Sequence, residues 1–245
     1  MDILNVTDHR PFPFPSKHWM MKQKWKNISF LHWPLSESQL RPFIPKQLTI
    51  DTYHGQAWVG MVIFEMESIH LRGIPKYSIT PNFSEVNVRT YVTYNGVPGI
   101  YFLSIDVDNW ASVTLAKRWY HLPYHSANIS IEKSHESYHY ESIRHGQSQI
   151  KGEGMIHPLP ESYIADKDSL DYWLMERYRL YSINKKQSLY KADIHHKPWS
   201  LQKAETTIHR NTILSELTIG LDAFFPAVSH FSSGLDTLFW NIKRL

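Results

Sequence analysis

The alternation of hydrophobic and polar residues predicts a chain built mostly of β-strands. Residues 24–33 (KWKNISFLHW) read as a strand that ends at Pro34, and residues 56–71 (QAWVGMVIFEMESIHL) are too β-branched and bulky for a helix. Residues 85–107 alternate on both sides of an Asn-Gly dipeptide, which is typical of a tight hairpin turn. Renewed alternation over 126–156 predicts three further strands, and the rest of the chain is expected to be mainly extended.

Helices are predicted to be few and short. Ser36 is a candidate N-cap for a short helix that ends near Pro42. Residues 110–120 form a helical run that stops before Pro123, because the residue preceding a proline disfavours helical geometry. Residues 169–182 carry hydrophobic side chains at helical spacing and form the best amphipathic helix in the part of the chain after residue 156.

This order of elements predicts an α+β fold that is mainly antiparallel β, because strand and helix do not alternate regularly. Residues 1–18, interrupted by three prolines, are expected to form an extended arm over the body. Residues 19–245 are expected to form a single domain. The sequence shows no signal peptide and no run of about 18 apolar residues, so we expect a cytoplasmic protein without membrane contact.

The composition excludes several classes of function. The 245 residues contain no cysteine, which rules out disulfides, thiolate catalysis and cysteine-bound metals. A formal net charge of +3, with no long basic run, argues against a nucleic-acid partner. Aromatic residues reach 14% of the chain, which suits β-rich structure or a pocket lined by rings.

The first strand of the predicted hairpin has two different faces. One face is mostly apolar and holds Val86, Val88, Thr90, Val92 and Tyr94. The other face is polar and holds Glu85, Asn87, Arg89, Tyr91 and Thr93. The polar face either meets solvent or, if the valine face packs on a second layer, lines an interior. In the interior, Glu85 and Arg89 could both contact the same ligand, and a buried Glu85 could act as an acid or a base.

Metal and phosphate sites are not predicted. His135, His139 and Glu141 share one side of a strand, but histidines four residues apart in a strand lie about 13 Å from each other. One ion cannot bridge that distance. His195 and His196 point in opposite directions in a strand, and no phosphate-binding glycine loop or nucleophile elbow occurs.

Four ordered phrases of the sequence resemble the YqjF-type family of bacterial proteins of unknown function. They are residues 32–66 (HWPLSESQLRPFIPKQLTIDTYHGQAWVGMVIFEM), 84–92 (SEVNVRTYV), 116–128 (AKRWYHLPYHSAN) and 195–201 (HHKPWSL). The resemblance covers about residues 19–240. That family is similar, more distantly, to the acetoacetate decarboxylase superfamily. The resemblance implies a curved antiparallel sheet, closed as a β-barrel around a central cavity, with a few peripheral helices.

The resemblance also shows one departure. Decarboxylases of that superfamily carry a Schiff-base lysine directly after the proline that follows the helix, with a second lysine beside it. The corresponding residues here are Tyr124 and His125. A phenol or an imidazole cannot form an imine, and neither Lys117 on the helix nor Lys26 on another strand occupies that position. Acetoacetate decarboxylation by the lysine mechanism is therefore not expected.

The resemblance implies that Tyr124 faces the cavity with Glu85 as its companion. Neighbouring residues of an extended segment point in opposite directions, so one of Tyr124 and His125 is expected to face inward. Tyr124 could donate a hydrogen bond to a carbonyl group, and His125 could act as a base. The alternative is that both side chains only satisfy carbonyl groups at the end of the helix.

Two functions follow from these residues. The first is a non-catalytic protein that binds a small apolar or oxo-acid-like molecule without a cofactor or metal. The second is a lysine-independent enzyme of lyase, hydratase or isomerase type that acts on a small carbonyl or carboxylate compound. The residues expected to contact the ligand are Asn87, Arg89, Tyr91 and His125, and the candidate catalytic residues are Glu85 and Tyr124. The oligomeric state is left open, a homo-oligomer included.

Overall fold

The strands of the protein join into one sheet of 13 strands in the computed structural model, which describes residues 3–74, 81–109, 121–215 and 222–245. The strands are β1 (Met21–Leu35), β2 (Thr49–Ile50), β3 (Ala57–Leu71), β4 (Phe83–Tyr94), β5 (Val97–Val107), β6 (Tyr124–Ser134), β7 (Ser137–Arg144), β8 (Lys151–Tyr163), β9 (Arg179–Ile183), β10 (Leu189–His195), β11 (Leu201–Asn211), β12 (Val228–Phe239) and β13 (Lys243–Arg244). The helices are α1 (Glu37–Leu40), α2 (Leu170–Met175) and α3 (Thr212–Ser215), with 3₁₀ turns at Ile3–Asn5 and Arg41–Phe43.

Most of the predicted elements are confirmed. The hairpin is β4–β5, and β6, β7 and β8 are the three strands expected over 126–156. Ser36 caps α1 with a complete capping box, in which the side chains of Ser36 and Gln39 each accept a hydrogen bond from the other's backbone N–H. The helix predicted over 110–120 lies outside the described residues.

The sheet closes on itself because two strands change partners along their length. The first half of β5 pairs with β9 and its end pairs with β6, both in parallel. In the same way, β12 pairs with β11 near its start and with β10 near its end. Strands β12, β1, β3, β4 and β5 therefore form a shared wall. One circuit, which we call the cavity circuit, closes through β9 and β10, and a second circuit closes through β6, β7, β8 and β11. This confirms the predicted curved, mainly antiparallel sheet.

Within the shared wall, β4 is largely buried on both faces, which decides its orientation. Val86, Val88 and Val92 pack in the core of the second circuit together with Tyr140 and Ile156. The opposite face of β4 points into the cavity circuit, where Glu85 is only 6% exposed and Asn87 only 4%. Glu85, Asn87 and Tyr91 of the polar face are therefore shielded from bulk solvent.

A bulge in β1 changes which side chains face the cavity circuit. The pairing with β3 shifts between Lys26 and Ser29, and Asn27 takes a left-handed conformation with φ of 49°. The amide of Asn27 donates a hydrogen bond to the carboxylate of Glu65. A bulge inserts one residue and reverses the alternation beyond it, so Trp25 and Ile28 both line the cavity. The strand also continues through Pro34, where the sequence predicted its end.

The prediction of a helix over 169–182 is wrong beyond Met175, the sixth residue of the helix that forms. Helix α2 ends at Met175, and β9 begins at Arg179. The carboxylate of Glu176 accepts hydrogen bonds from the Tyr178 hydroxyl and from the backbone N–H of Trp199. These contacts form only in the folded chain and override the helical spacing of the hydrophobic residues.

The N-terminal segment lies against the end of β10. The guanidinium of Arg10 donates to the carbonyl of Ile194 at 2.8 Å, and Nε2 of His9 lies 2.9 Å from the carbonyl of His196. Within the described ranges, no helix has the length and apolar character needed to cross a membrane.

Candidate functional site

The cavity circuit encloses a cavity of about 180 Å³. Most of its lining is aromatic or aliphatic, contributed by β1, β3, β5, β9, β10 and β12. The polar residues that line it are Gln23, Glu85, Asn87, Arg89, Tyr124, Arg177 and His196. An apolar cavity with a few convergent polar groups is the usual form of a small-molecule site.

Glu85 and Asn87 form a buried pair on one side of the cavity. The Asn87 amide donates a hydrogen bond of 2.9 Å to the Glu85 carboxylate. Burial raises the pKa of Glu85 to about 7, although the hydrogen bond from Asn87 and the charge of Arg89 act in the opposite direction. Glu85 can therefore hold or release a proton near neutral pH, as an acid or base must.

Two arginines line the same cavity but differ in their partners. Arg177 donates to Asp51 and to the carbonyl of Trp173, both at 2.6 Å. Arg89 lies over the ring of Phe30 at 5.7 Å and forms no ion pair with a residue that the structure describes. Each guanidinium also keeps one buried nitrogen without a hydrogen-bond partner in the described part of the chain. Unused donors on a cation favour an anionic oxygen acceptor.

Tyr91 lies behind the arginines and does not line the cavity, although the sequence suggested it as a ligand-binding residue. Its side chain is fully buried, and its hydroxyl lies 2.7 Å from Nε2 of His32. The guanidinium of Arg177 lies 4.9 Å from the centre of its ring. Tyr91 therefore supports the arginine side of the cavity from beneath.

Tyr124 and His125 behave differently at the start of β6. Tyr124 lines the cavity, whereas His125 is not among the lining residues and pairs in the sheet with Asp106. No lysine is found among the described residues that line the cavity. Lys26 forms an ion pair with Glu67 at the surface, and Lys117 lies outside the described ranges.

The histidine-rich motifs do not assemble a metal site in the described residues. No group of three or more histidine, aspartate or glutamate side chains there is arranged to hold an ion. His135 occupies the turn between β6 and β7 with φ of 55°, which separates it from His139. His196 does line the cavity. Burial lowers its pKa to about 3, so its ring is neutral.

Among the lining residues that sequence reasoning missed are Trp25, Arg177 and Trp199. Trp25 reaches the cavity through the bulge at Asn27, whose only trace in the sequence is a break in the alternation. Arg177 was assigned to a helix, yet it occupies the turn after α2. Trp199 follows Pro198 in a segment between β10 and β11 that carries no periodic pattern.

The sequence matches the model of the DUF2071 family, described as an uncharacterized conserved protein, over residues 22–236. The chain belongs to this family. It is also 41% identical over 230 residues to the uncharacterized protein YqjF of Bacillus subtilis (strain 168), and the match covers 94% of each chain. The resemblance to YqjF-type proteins is thereby confirmed.

Solved structures of the acetoacetate decarboxylase type share the fold of this DUF2071 chain. Acetoacetate decarboxylase from Legionella pneumophila superposes with a TM-score of 0.62 at 13% identity, covering 98% of this chain and 94% of that one. The enduracididine biosynthesis enzyme MppR superposes with a TM-score of 0.65 at 11% identity, covering 94% and 89%. At these identities the likeness concerns the fold alone.

Proposed function

We propose that the protein binds a small organic carboxylate in the cavity, with Arg89 as the main contact for the anionic group. The observation that carries this proposal is the state of Arg89, a cation that lines an apolar cavity without an ion-pair partner in the described residues. Placing an unpaired charge in an apolar environment costs free energy, and an opposite charge reduces that cost. A carboxylate supplies that pair, and the apolar walls cover the rest of the molecule.

Glu85 supports an anionic ligand because of its raised pKa. Below about pH 7 the side chain is largely protonated, so it neither repels a ligand carboxylate nor neutralises Arg89. The second arginine is fixed by Asp51 and adds donors on the same lining. Ligand binding near neutral pH then accompanies uptake of a proton by Glu85.

An oxo acid is a favoured subclass of ligand. The structural relative MppR has been solved in complex with pyruvate, which is a 2-oxo acid. In this chain Tyr124 lines the same cavity as Arg89, and a phenol is a hydrogen-bond donor that suits a carbonyl group. The hydroxyl stands where the resemblance to decarboxylases implies a lysine, so it polarises a carbonyl but forms no imine.

A second candidate function is a lysine-independent enzyme that acts on such an acid. It is favoured by Glu85, whose pKa of about 7 suits proton transfer, in one cavity with Tyr124. Exchange of the C3 protons of 2-oxohexanoate in D₂O, followed by NMR, tests this candidate. Exchange that exceeds the buffer rate and is lost in Glu85→Gln supports an enzyme, and exchange at the buffer rate contradicts it.

Calorimetric titration tests the binding proposal. Hexanoate should bind, and hexan-1-ol, which lacks the charge, should bind far more weakly. Arg89→Met should lose roughly tenfold or more in affinity for hexanoate, since a charged hydrogen bond contributes about 1.5–3 kcal/mol. Arg210→Met, exposed on β11, is the matched control and should bind normally. Equal affinity of Arg89→Met and wild type, or equal binding of the alcohol, would overturn the proposal.

A further inference from the structure

Two tryptophans form a continuous aromatic surface inside the cavity. The rings of Trp25 and Trp199 stack with their centroids 6.2 Å apart and an angle of 18° between their planes. Phe30 meets Trp199 edge-on at 5.0 Å, and Phe64 lies 5.4 Å from Trp25. All four residues line the cavity. We call these four residues the aromatic wall.

The aromatic wall offers ring surface but no free donor. The indole N–H of Trp25 donates to the side-chain oxygen of Gln23 at 2.9 Å, and that of Trp199 donates to the carbonyl of Met175 at 3.1 Å. Both polar atoms are therefore satisfied within the protein. A polar ligand group placed against this wall would lose its hydrogen bonds to water and gain none.

Different backbone contacts hold the two tryptophans in place. Trp25 sits at the bulge of β1, where Gly234 of β12 takes a φ of 136° and a Cβ atom would come within 2.2 Å of the Trp25 carbonyl. The backbone N–H of Trp199 is anchored to Glu176 at 3.1 Å. The wall is thus built into the fold, and binding energy is not spent on ordering it.

The aromatic wall continues to the arginine that binds the acid group. The guanidinium of Arg89 lies 5.7 Å over the ring of Phe30, and Phe30 in turn contacts Trp199. Phe30 is therefore a neighbour of both the Arg89 guanidinium and the Trp199 ring, so a short chain past Phe30 can join an acid group at Arg89 to a ring at Trp199. Met20, Met66 and Met175 also line the cavity, and their flexible side chains can adapt to a flat ligand.

We infer that the ligand is an aryl-substituted carboxylic acid, with its carboxylate at Arg89 and its ring against Trp25 and Trp199, joined by a short chain of two or three carbons. This inference rests on the proposed function for the position of the carboxylate. It adds the chemical class of the tail, because stacking and edge-to-face contacts favour a ring over an alkyl chain of equal size.

Titration of four compounds tests the inference: 3-phenylpropionate, 3-cyclohexylpropionate, hexanoate and 3-phenylpropan-1-ol. Wild type should bind 3-phenylpropionate roughly two- to tenfold more tightly than the cyclohexyl acid of matched size. Trp25→Leu and Trp199→Leu should bring this ratio close to one. Trp19→Leu, which removes a tryptophan outside the cavity lining, is the matched control and should keep the wild-type ratio.

The outcomes separate the two proposals. The aromatic class of the ligand would be overturned if wild type bound the two ring acids equally or preferred the cyclohexyl acid. It would also be overturned if Trp25→Leu and Trp199→Leu both kept the wild-type ratio of the two affinities. If both acids still require Arg89, the proposed function stands. Equal binding of the alcohol and 3-phenylpropionate, with no loss in Arg89→Met, would overturn the carboxylate site but keep the aromatic preference. Binding of hexanoate without binding of either ring acid would overturn the aromatic class only, and absence of binding by all three acids would overturn both proposals.

Discussion

The hydroxyl of Tyr91 on β4 lies 2.7 Å from Nε2 of His32 on β1, although β3 runs between these two strands. Gly60 of β3 makes this contact possible, because it stands directly opposite His32 on one side and Arg89 on the other. A Cβ atom on Gly60 would lie 2.9 Å from the His32 ring and 3.5 Å from the Tyr91 hydroxyl. The absence of one side chain therefore lets the two buried polar groups meet behind the arginine.

Gly60→Ala should destabilise the protein because the new methyl group displaces the His32 ring. We expect the free energy of unfolding, measured by urea denaturation, to fall by roughly 1–3 kcal/mol, as is usual for overpacking. The control is a double-mutant cycle with His32→Ala, in which the cost of the added methyl group should largely disappear. A Gly60→Ala protein as stable as wild type would show that the His32 ring does not fill the space next to Gly60.

Glu85→Gln should change how stability depends on pH. The folded-state pKa of Glu85 rises from the ordinary 4.5 to about 7, so the folded protein holds this proton more tightly and loses stability as pH rises between these values. At 1.36 kcal/mol per pKa unit, the stability of Glu85→Gln relative to wild type should increase by roughly 3 kcal/mol between about pH 4 and pH 8.

Urea denaturation across this pH range checks the Glu85 prediction. Glu141→Gln, which removes an exposed carboxylate of β7, is the matched control and should follow wild type. Parallel curves for Glu85→Gln and wild type would mean that the Glu85 carboxylate is not stabilised in its protonated form.

Carboxylate affinity should be highest below about pH 7 and should fall as Glu85 ionises, because the new negative charge repels the ligand and competes for Arg89. Titration of 3-phenylpropionate at about pH 6 and pH 8.5 measures the effect, which we expect to be several-fold. The heat of ligand binding near neutral pH should differ between two buffers of different ionisation enthalpy, because the buffer supplies the proton that Glu85 takes up. Glu85→Gln should bind independently of pH, and an affinity for wild type that rises with pH would contradict this account.

Borohydride should trap no adduct between the wild-type cavity and pyruvate, since no described lining residue is a lysine. Tyr124→Lys should gain the mass of a reduced pyruvate adduct at position 124, because it places a primary amine on the cavity lining and partial burial lowers the pKa of an amine. Intact-mass and peptide mass spectrometry detect the change. Tyr190→Lys, outside the cavity lining, controls for nonspecific reduction. A wild-type adduct within the cavity, or an unmodified Tyr124→Lys protein, would count against the placement of Tyr124.

The parts of the cavity that could be predicted depend on local rules. Alternation along β4 places Glu85, Asn87 and Arg89 on one face, and the resemblance to decarboxylases pointed to Tyr124. Period-two reasoning also put Tyr91 on that face, which is correct. It could not show that the ring of Trp173 packs against Tyr91, with the ring centroids 4.8 Å apart, or that Tyr91 does not line the cavity.

The parts that could not be predicted depend on contacts between distant residues. Arg177 follows a run with clear helical spacing, yet α2 ends because Glu176 binds the backbone of Trp199, 23 residues further along. Trp25 faces the cavity because β1 bulges at Asn27 relative to β3, next to the close approach of Gly234 on β12 to the Trp25 carbonyl. Neither contact leaves a periodic signal in the sequence, so the second arginine and the aromatic wall became visible only in the folded chain.

A crystal structure of the complex with 3-phenylpropionate tests the central claim most directly. We predict density for the ligand inside the cavity, with the carboxylate oxygens within hydrogen-bond distance of the Arg89 guanidinium and the ring against Trp25 and Trp199. Density with the carboxylate directed away from Arg89, or a ligand found only on the outer surface under saturating conditions, would contradict the claim.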